Sequence, residues 1–358
     1  MSLCPESPQA AAEMIHSARG DKKAVIPAGR LSRLSRWAKI PEAEDKVIST
    51  KELKRIISVE PENLLAIVEA GLTPAEVRQA LVPANLYWPV SGQDGRSLGA
   101  IMAEGAVSLE TMGRGPMIDW VLGVTFIEPS GRIITSGGRT LKNVSGYDLT
   151  RFQWKAWGTL GLSAVFVLKC LPLPEASQVV EIEFSGGRPA AEAAEKIIRA
   201  RLFPQGLHLI LKNGRWSLLA WFSGFEEFVE AQICAVSEEA EISEVKIYND
   251  ALAFWSKHQE NWPLEMEGCG NWLGSRAELL KLADGFNGLG EASILEADID
   301  LGGGQARLCF SPDDSSSKTA QLNFSGLKPQ APALEGEVYQ RLKRGLDPED
   351  LFFPSSRF

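Results

Sequence analysis

The sequence has 358 residues, with 37 Lys+Arg against 46 Asp+Glu and a formal net charge of -9. Hydrophobic content of 44% and charged content of 23% are ordinary for a globular chain and exclude collagen, coiled coil and long disorder. At roughly 100–200 residues per domain the length predicts two domains, and the acidic total excludes a dedicated nucleic-acid binder, which needs cationic surface to displace counterions.

Residues 1–12 lack the basic start and apolar run of a secretory signal. No stretch approaches the ~20 apolar residues of a membrane helix. Residues 24–26 read as a short buried strand broken by Pro27 and Gly29, and residues 64–68 as another. Thr73, Pro74 and Glu76 form a capping box at the start of a helix, with Val77, Ala80 and Leu81 as its apolar face.

Residues 91–171 are dense in glycine, and thirteen of the 33 glycines fall between 92 and 161. Strands are predicted at 120–127 and 162–171, with a hairpin turn at Pro129, Ser130 and Gly131. Pro172 and Pro174 mark a domain boundary. Beyond it the texture is α+β, with helices at 190–201 and 226–240 and strands at 207–211 and 217–222. Gly302, Gly303 and Gly304 join two strands as a hairpin; the third glycine of a G-x-G-x-x-G fingerprint is replaced by Arg307.

Several chemistries are missing. The five cysteines are an odd number and scattered, with no Cys-x-x-Cys pair, and are read as reduced thiols, so a cytoplasmic location is expected. The three histidines (His16, His208 and His258) lie far apart, so no metal site is predicted. There is no Walker phosphate loop and no G-x-S-x-G elbow. Residues 315–318 formally read S-x-x-K within a polar run, a solvated loop. Residues 1–40 carry seven Lys/Arg against three Asp/Glu, and residues 91–170 eight against six. Such basic, glycine-rich regions suit an anionic ligand, whose phosphates take backbone N–H groups and cations; ordinary fluctuation of surface charge gives the same counts.

The run Leu141-Lys142-Asn143-Val144-Ser145-Gly146-Tyr147-Asp148-Leu149, followed by Gly158-Thr159-Leu160-Gly161, resembles the FAD-binding PCMH-type (vanillyl-alcohol oxidase-like) oxidoreductases. Within that family the chain is similar to the E-type FAD-binding subunits of glycolate oxidase. Ser97-Leu98-Gly99-Ala100, the segment 116–123 with Asp119, and the tail containing Arg341-Leu342-Lys343, Asp347-Pro348 and Phe353-Pro354 extend the resemblance.

The resemblance implies an α+β fold: a two-subdomain FAD-binding PCMH-type domain at 1–174 (about 1–75 and 76–174), an α+β cap at 175–325, and a segment at 326–358 returning to the FAD domain. It also implies noncovalent FAD, held by Gly29, Arg30, Leu31, Ser32, Pro89, Ser97, Leu98, Gly99, Ala100, Ala103, Gly105, Asp119, Tyr147, Gly158, Thr159, Gly161 and Leu162. A small-molecule 2-hydroxy acid as substrate, a larger FAD-binding subunit and an iron–sulfur subunit are the implied partners. The family's first loop reads P-x-G-G-G-T, whereas this chain has Arg30 and Leu31, which either crowd the pyrophosphate or, through Arg30, pair with it. No catalytic residue and no metal is assigned. Tyr147 and Asp148 either contact flavin or cap a helix, and Lys142 either neutralises a phosphate or is solvated. Arg276, His258, Trp255 and Trp262 are read as cap surface and core in preference to flavin contacts. A degenerate scaffold subunit, or an FAD oxidase of another alcohol or sugar, are the alternative functions.

Overall fold

The computed structural model of the chain describes residues 2–30, 45–92, 95–139, 148–239, 245–260, 269–285, 294–310, 328–329 and 337–352. These divide into two compact units, one of residues 1–107, 116–173 and 332–358, the other of residues 108–115 and 174–331. The fold is α+β.

In the first unit, strands β1 (Val25–Ala28) and β2 (Lys46–Ser49) run parallel. The strand continues through Pro27, where the sequence predicts a break, and Pro27 stands opposite Ile48. Bridges from Leu3 to Ile48 and from Val25 to Phe352 extend the pair on both sides, and Val25 N–H donates to the Leu351 carbonyl at 2.8 Å. The helix Pro8–Gly20 covers this layer. Ser7 caps it by accepting from Ala10 N–H, and Ala11, Ile15 and Ala18, spaced for one helical face, are buried. They pack with Val25, Ile48, Leu53, Leu351 and Phe352.

A second layer of this unit holds β3 (Ile56–Glu60), β4 (Leu65–Glu69), β6 (Val121–Ile127), β7 (Ile133–Gly137) and β8 (Leu162–Lys169). Among the described residues they form an antiparallel sheet in the order β3-β4-β8-β6-β7. β8 alternates buried and half-buried residues along its whole length. The short β5 (Leu86–Tyr87) pairs with β9 (Leu171–Pro172). The helices Pro74–Leu81 and Leu98–Glu104 bury Val77, Leu81, Leu98, Ile101 and Met102 with Trp88, Phe126 and Phe166. The Thr73–Glu76 capping box forms as read: Glu76 N–H donates to Thr73 Oγ1 at 3.2 Å, and Thr73 N–H to the Glu76 carboxylate at 2.7 Å. The turn at Pro129–Gly131 closes the β6–β7 hairpin through Glu128 N–H and the Arg132 carbonyl.

The last described residues fasten the first. In the helix Glu337–Leu346, Lys343 is buried. Its ammonium binds the Asp347 carboxylate and the Phe352 carbonyl, and donates to the Thr159 carbonyl at 3.5 Å. Asp347, also buried, accepts from Leu351 N–H at 2.9 Å and Phe352 N–H at 2.8 Å.

In the second unit, β10 (Ala176–Phe184), β11 (Gly206–Lys212), β12 (Arg215–Gly224), β13 (Lys246–Tyr248), β14 (Cys269–Leu273), β15 (Ile294–Asp300), β16 (Gln305–Phe310) and β17 (Lys328–Pro329) form one antiparallel sheet. Their order is β13-β10-β12-β11-β15-β16-β14-β17. The helices Gly187–Arg199, Glu226–Glu239 and Arg276–Gly285 cover one face, burying Ala190, Ala194, Ile197, Val229, Val236, Leu279 and Ala283 against Leu209, Leu218 and Ile299. The triglycine is the β15–β16 turn, where Asp300 Oδ1 accepts from Gly302 and Gly303 N–H at 3.0 and 2.8 Å. The reading of all cysteines as thiols is corrected here. Cys309 is disulfide-bonded and stands opposite Cys269 in the β14–β16 register, while Cys4, Cys170 and Cys234 are free.

Phe352 is wholly buried, so Phe352→Ala leaves a cavity beside β1 and is expected to lower the stability of the first unit by about 3–5 kcal/mol. Urea unfolding followed by tryptophan fluorescence checks this; an unchanged midpoint means that the C-terminal return contributes nothing.

Candidate functional site

The first loop leaves β1 at Ala28. A Cβ on Gly29 would lie 2.2 Å from Ser97 Oγ and 3.0 Å from Ala100 Cβ, so glycine lets the loop approach the segment that begins the helix Leu98–Glu104 without displacing either side chain. Ser49 Oγ donates to the Gly29 carbonyl at 2.6 Å and fixes the loop from below. Ser97 is fully buried, yet its hydroxyl makes no capping bond and has no hydrogen-bond partner among the described residues. A buried hydroxyl left unpaired is costly, and such atoms concentrate where a ligand completes the site.

Arg30 follows directly, and its guanidinium turns to Glu76. It donates to both carboxylate oxygens at 2.9 and 2.7 Å, and to the Gly71 carbonyl at 3.4 Å. Burial opposes the Glu76 charge, but hydrogen bonds from the Thr73 backbone and from Arg30 outweigh it and hold the carboxyl below its ordinary pKa. The cation at residue 30 therefore has a carboxylate partner. Leu31 and Ser32 lie outside the described residues, as does Tyr147.

The helix Leu98–Glu104 is set by its neighbours. Leu98 N–H donates to the Leu72 carbonyl at 2.7 Å and Gly99 N–H to the Ala70 carbonyl at 2.9 Å. Leu98 is core, Ala100 and Ala103 are half-buried, and Gly105 ends the helix in the left-handed conformation. Arg96 and Glu104, both buried, pair across this helix. The loop that holds Gly158 and Thr159 is laced to the same helix: Lys155 N–H donates to the Met102 carbonyl at 3.2 Å and Trp157 N–H to the Ala103 carbonyl at 2.9 Å. Lys155 (φ 61°), Trp157 (φ 55°) and Gly158 (φ 75°) are all left-handed. Two non-glycine residues in that region are strained, and persist only where surrounding contacts over-determine them. The Thr159 hydroxyl donates to the Ala156 carbonyl at 2.5 Å. Gly161 sits where a Cβ would approach Phe126 to 2.8 Å, and Leu162 packs in the core with Ile127.

The structure thus brings together Gly29, Ser97, Gly99, Ala100, Ala103, Gly105, Gly158 and Thr159. It does not bring Asp119 to them by any described contact: Asp119 is half-exposed and pairs with Arg151 at 3.1 Å. Pro89 is buried, and Leu98 and Leu162 serve the core. Asp148 caps the helix Leu149–Gln153 by accepting from Arg151 N–H at 3.3 Å. The sequence reading missed Lys343 as a partner of the Thr159 loop. Its signal was the Lys343–Asp347 spacing, which puts opposite charges one helical turn apart. Two features fit FAD: the orphaned Ser97 hydroxyl, and a loop brought close to it at a residue that lacks a Cβ.

The second unit holds a buried charge cluster on the sheet face away from the three helices. His208 stands opposite Asp300 in the β11–β15 register, and Asp298 shares their face. His208 Nδ1 lies 2.8 Å from Asp298 Oδ1, and Nε2 lies 3.8 Å from Asp300 Oδ1. Burial disfavours the imidazolium, but Asp300 and Asp298 outweigh it and raise the His208 pKa. Burial likewise works against the Asp298 charge, which His208 nevertheless holds well below the carboxylate range, whereas burial raises Asp300. Burial lowers His258. Trp255, in the helix Ala251–Glu260, is core and packs 4.6 Å from the His208 ring. Arg276 Nε donates to the Leu301 carbonyl at 3.4 Å, and Trp262 lies outside the described residues. Among the described residues no group of three or more His, Cys, Asp or Glu is placed to hold a metal.

Residues 1–137 match the family model described as "FAD binding domain". The chain is 28% identical over 188 residues to a glycolate oxidase subunit GlcD of Bacillus subtilis, a match covering 52% of this chain and 40% of that protein. It is 24% identical over 366 residues to the glycolate oxidase subunit GlcE of Escherichia coli, covering 98% of this chain and 97% of that protein. The solved structure of an alkyldihydroxyacetonephosphate synthase superposes with a TM-score of 0.78 at 15% identity, covering 98% of this chain and 76% of that one, which shows a shared fold. The chain spans less than half the length of the Bacillus relative.

Ser97→Ala removes an unpaired buried hydroxyl. It is expected to leave the cofactor-free protein as stable or more stable by about 1–2 kcal/mol, while weakening FAD binding several-fold. Equal losses in melting temperature and affinity would contradict that reading. The cluster in the second unit gives a pH signature. His208, raised above 6.5, stabilises fully below that pH and loses its contribution as pH rises through its folded value; Asp300, raised above 3.8, acts in the same sense. Asp298, lowered from 3.8, contributes above that pH and loses its effect as pH falls through its folded value. Melting temperature is therefore expected to decline from neutral pH upward in the wild type and to flatten in His208→Gln; parallel profiles would sink the idea.

Proposed function

We propose that the chain, whose first 137 residues match an FAD binding domain, is an FAD-binding PCMH-type oxidoreductase that takes part in oxidising a 2-hydroxy acid as one subunit of a glycolate oxidase-like complex. The observation that carries this reading is the likeness to a relative named as a glycolate oxidase subunit along nearly the whole of both chains. A larger FAD-binding subunit and an iron–sulfur subunit are the partners it suggests. A cytoplasmic site of action is part of the same proposal. Separately, no helix among the described residues is long and apolar enough to cross a membrane.

FAD, when bound, supplies the acceptor for the hydride that leaves the substrate carbon. The chain's own residues hold and orient it. Gly29 lets the first loop come close to Ser97, whose hydroxyl would donate to a phosphate or ribityl oxygen. The loop from Lys155 to Thr159, pinned by Met102 and Ala103, would present backbone to the cofactor. Gly99 and Ala100 keep the helix side shallow. The hydroxyl proton of the substrate needs a base, and no residue of this chain is assigned to it.

One observation favours a second reading, a scaffold subunit that has lost its cofactor. Arg30 fills a position where the family has glycine, and its charge is spent on Glu76.

Absorbance of the purified chain, with titration by FAD, separates the two. Noncovalent uptake of one FAD, released on denaturation, is expected. The complex, co-expressed with its larger flavin subunit and Cys-rich partner, is expected to reduce an artificial electron acceptor with glycolate or lactate at least about tenfold faster than with sugars or lactones. A chain that takes up no FAD is the scaffold, and oxidation of sugars in preference to hydroxy acids overturns the substrate class.

A further inference from the structure

We infer that the segment from Lys343 to Phe352 is a latch on the cofactor loop, with Lys343 a positioning residue that acts through the Thr159 carbonyl. The inference rests on the reading that the Lys155–Thr159 loop lines FAD.

Three observations carry it. The loop is strained: Lys155 and Trp157 hold left-handed backbone that non-glycine residues avoid, so something outside the loop must keep it there. The helix Leu98–Glu104 holds the loop's start through Met102 and Ala103, and among the described backbone bonds none runs from that helix to the loop's far end. The far end is held by Lys343. Its buried ammonium donates to the Thr159 carbonyl at 3.5 Å while binding the Asp347 carboxylate and the Phe352 carbonyl, with Asp350 at 3.4 Å. One cation thus joins the cofactor loop, the turn after the last helix and the residue that bridges to Val25.

Because the ammonium satisfies all three at once, the loop and the C-terminal turn order together. A ligand that selects the ordered loop must then also favour the docked C-terminal segment, and docking must favour the ligand by the same factor. The C-terminal return thereby becomes a determinant of cofactor affinity, although Lys343 touches no cofactor itself.

The test uses the full chain and FAD. Asp347 accepts from the amides of Leu351 and Phe352, which makes those two amides reporters of docking. Hydrogen exchange at both is expected to slow on adding saturating FAD by at least about tenfold more than at Ala66 and Leu168, a backbone-paired position at the centre of the first unit's sheet. Lys343→Met is expected to weaken FAD binding, read by flavin fluorescence, at least about tenfold and to abolish the extra slowing. An unchanged FAD affinity in a folded Lys343→Met, or equal slowing at all four amides in the wild type, overturns the latch and leaves Lys343 a purely structural residue. The exchange comparison needs no variant, so it decides the matter even where Lys343→Met fails to fold. Wild-type protein that binds FAD with affinity unaffected by Gly158→Ala overturns the loop reading, and the latch with it.

Discussion

The buried ion pair of Lys343 and Asp347 is the contact on which the first unit turns. Taking both charges out of water is unfavourable unless every remaining donor and acceptor is used. Here they are: the ammonium also meets the carbonyls of Phe352 and Thr159, and the carboxylate also takes two backbone amides. Removing either partner would strand a buried charge, at a cost of about 3–5 kcal/mol by analogy with other buried pairs. The pair therefore does more than close a helix. It makes the edge of β1, the far end of the glycine loop and the chain's C-terminal turn parts of a single arrangement.

The second unit solves a different problem with a different division of labour. One face of its sheet is a conventional apolar core under three helices. The other carries a polar row set by strand register: His208 opposite Asp300 opposite Gln305, and Ile210 opposite Asp298 opposite Arg307. Burying charges in such a row is a poor route to stability, and favours one register among the alternatives, because a one-residue slip would bring Asp298 and His208 to the apolar face.

What the sequence disclosed follows from distance along the chain. The Thr73–Glu76 capping box and the Gly302–Gly304 turn are local, so a few residues decide them and they were legible. β8 was legible because its alternation is its burial. The loops that resemble a flavin cradle were visible as motifs, and Gly29 earns its place by a contact with Ser97 that the motif implies without describing. Arg30 was ambiguous because its partner is 46 residues away, and no local rule chooses Glu76 over a phosphate. His208 looked isolated in a chain with three histidines because Asp298 lies 90 residues on, and Lys343 was an anonymous member of a tail because Thr159 is 184 residues back. The cysteine reading failed for the same reason: even spacing arguments cannot see that Cys269 and Cys309 fall opposite each other across two strands.

Val25 and Leu351 share a backbone hydrogen bond, yet nearly the whole chain lies between them. During synthesis Val25 leaves the ribosome more than 300 residues ahead of Leu351. Through that interval β1 has an open edge, the buried surface of the helix Pro8–Gly20 lacks the Phe352 ring that completes it, and the second unit can finish folding in between. A nascent chain with an unpaired strand edge and uncovered apolar surface is a natural client for chaperones and a hazard for strand-to-strand association. The closing contact thus also sets an order of assembly: until Leu351 and Phe352 arrive, the first unit advertises that it is unfinished.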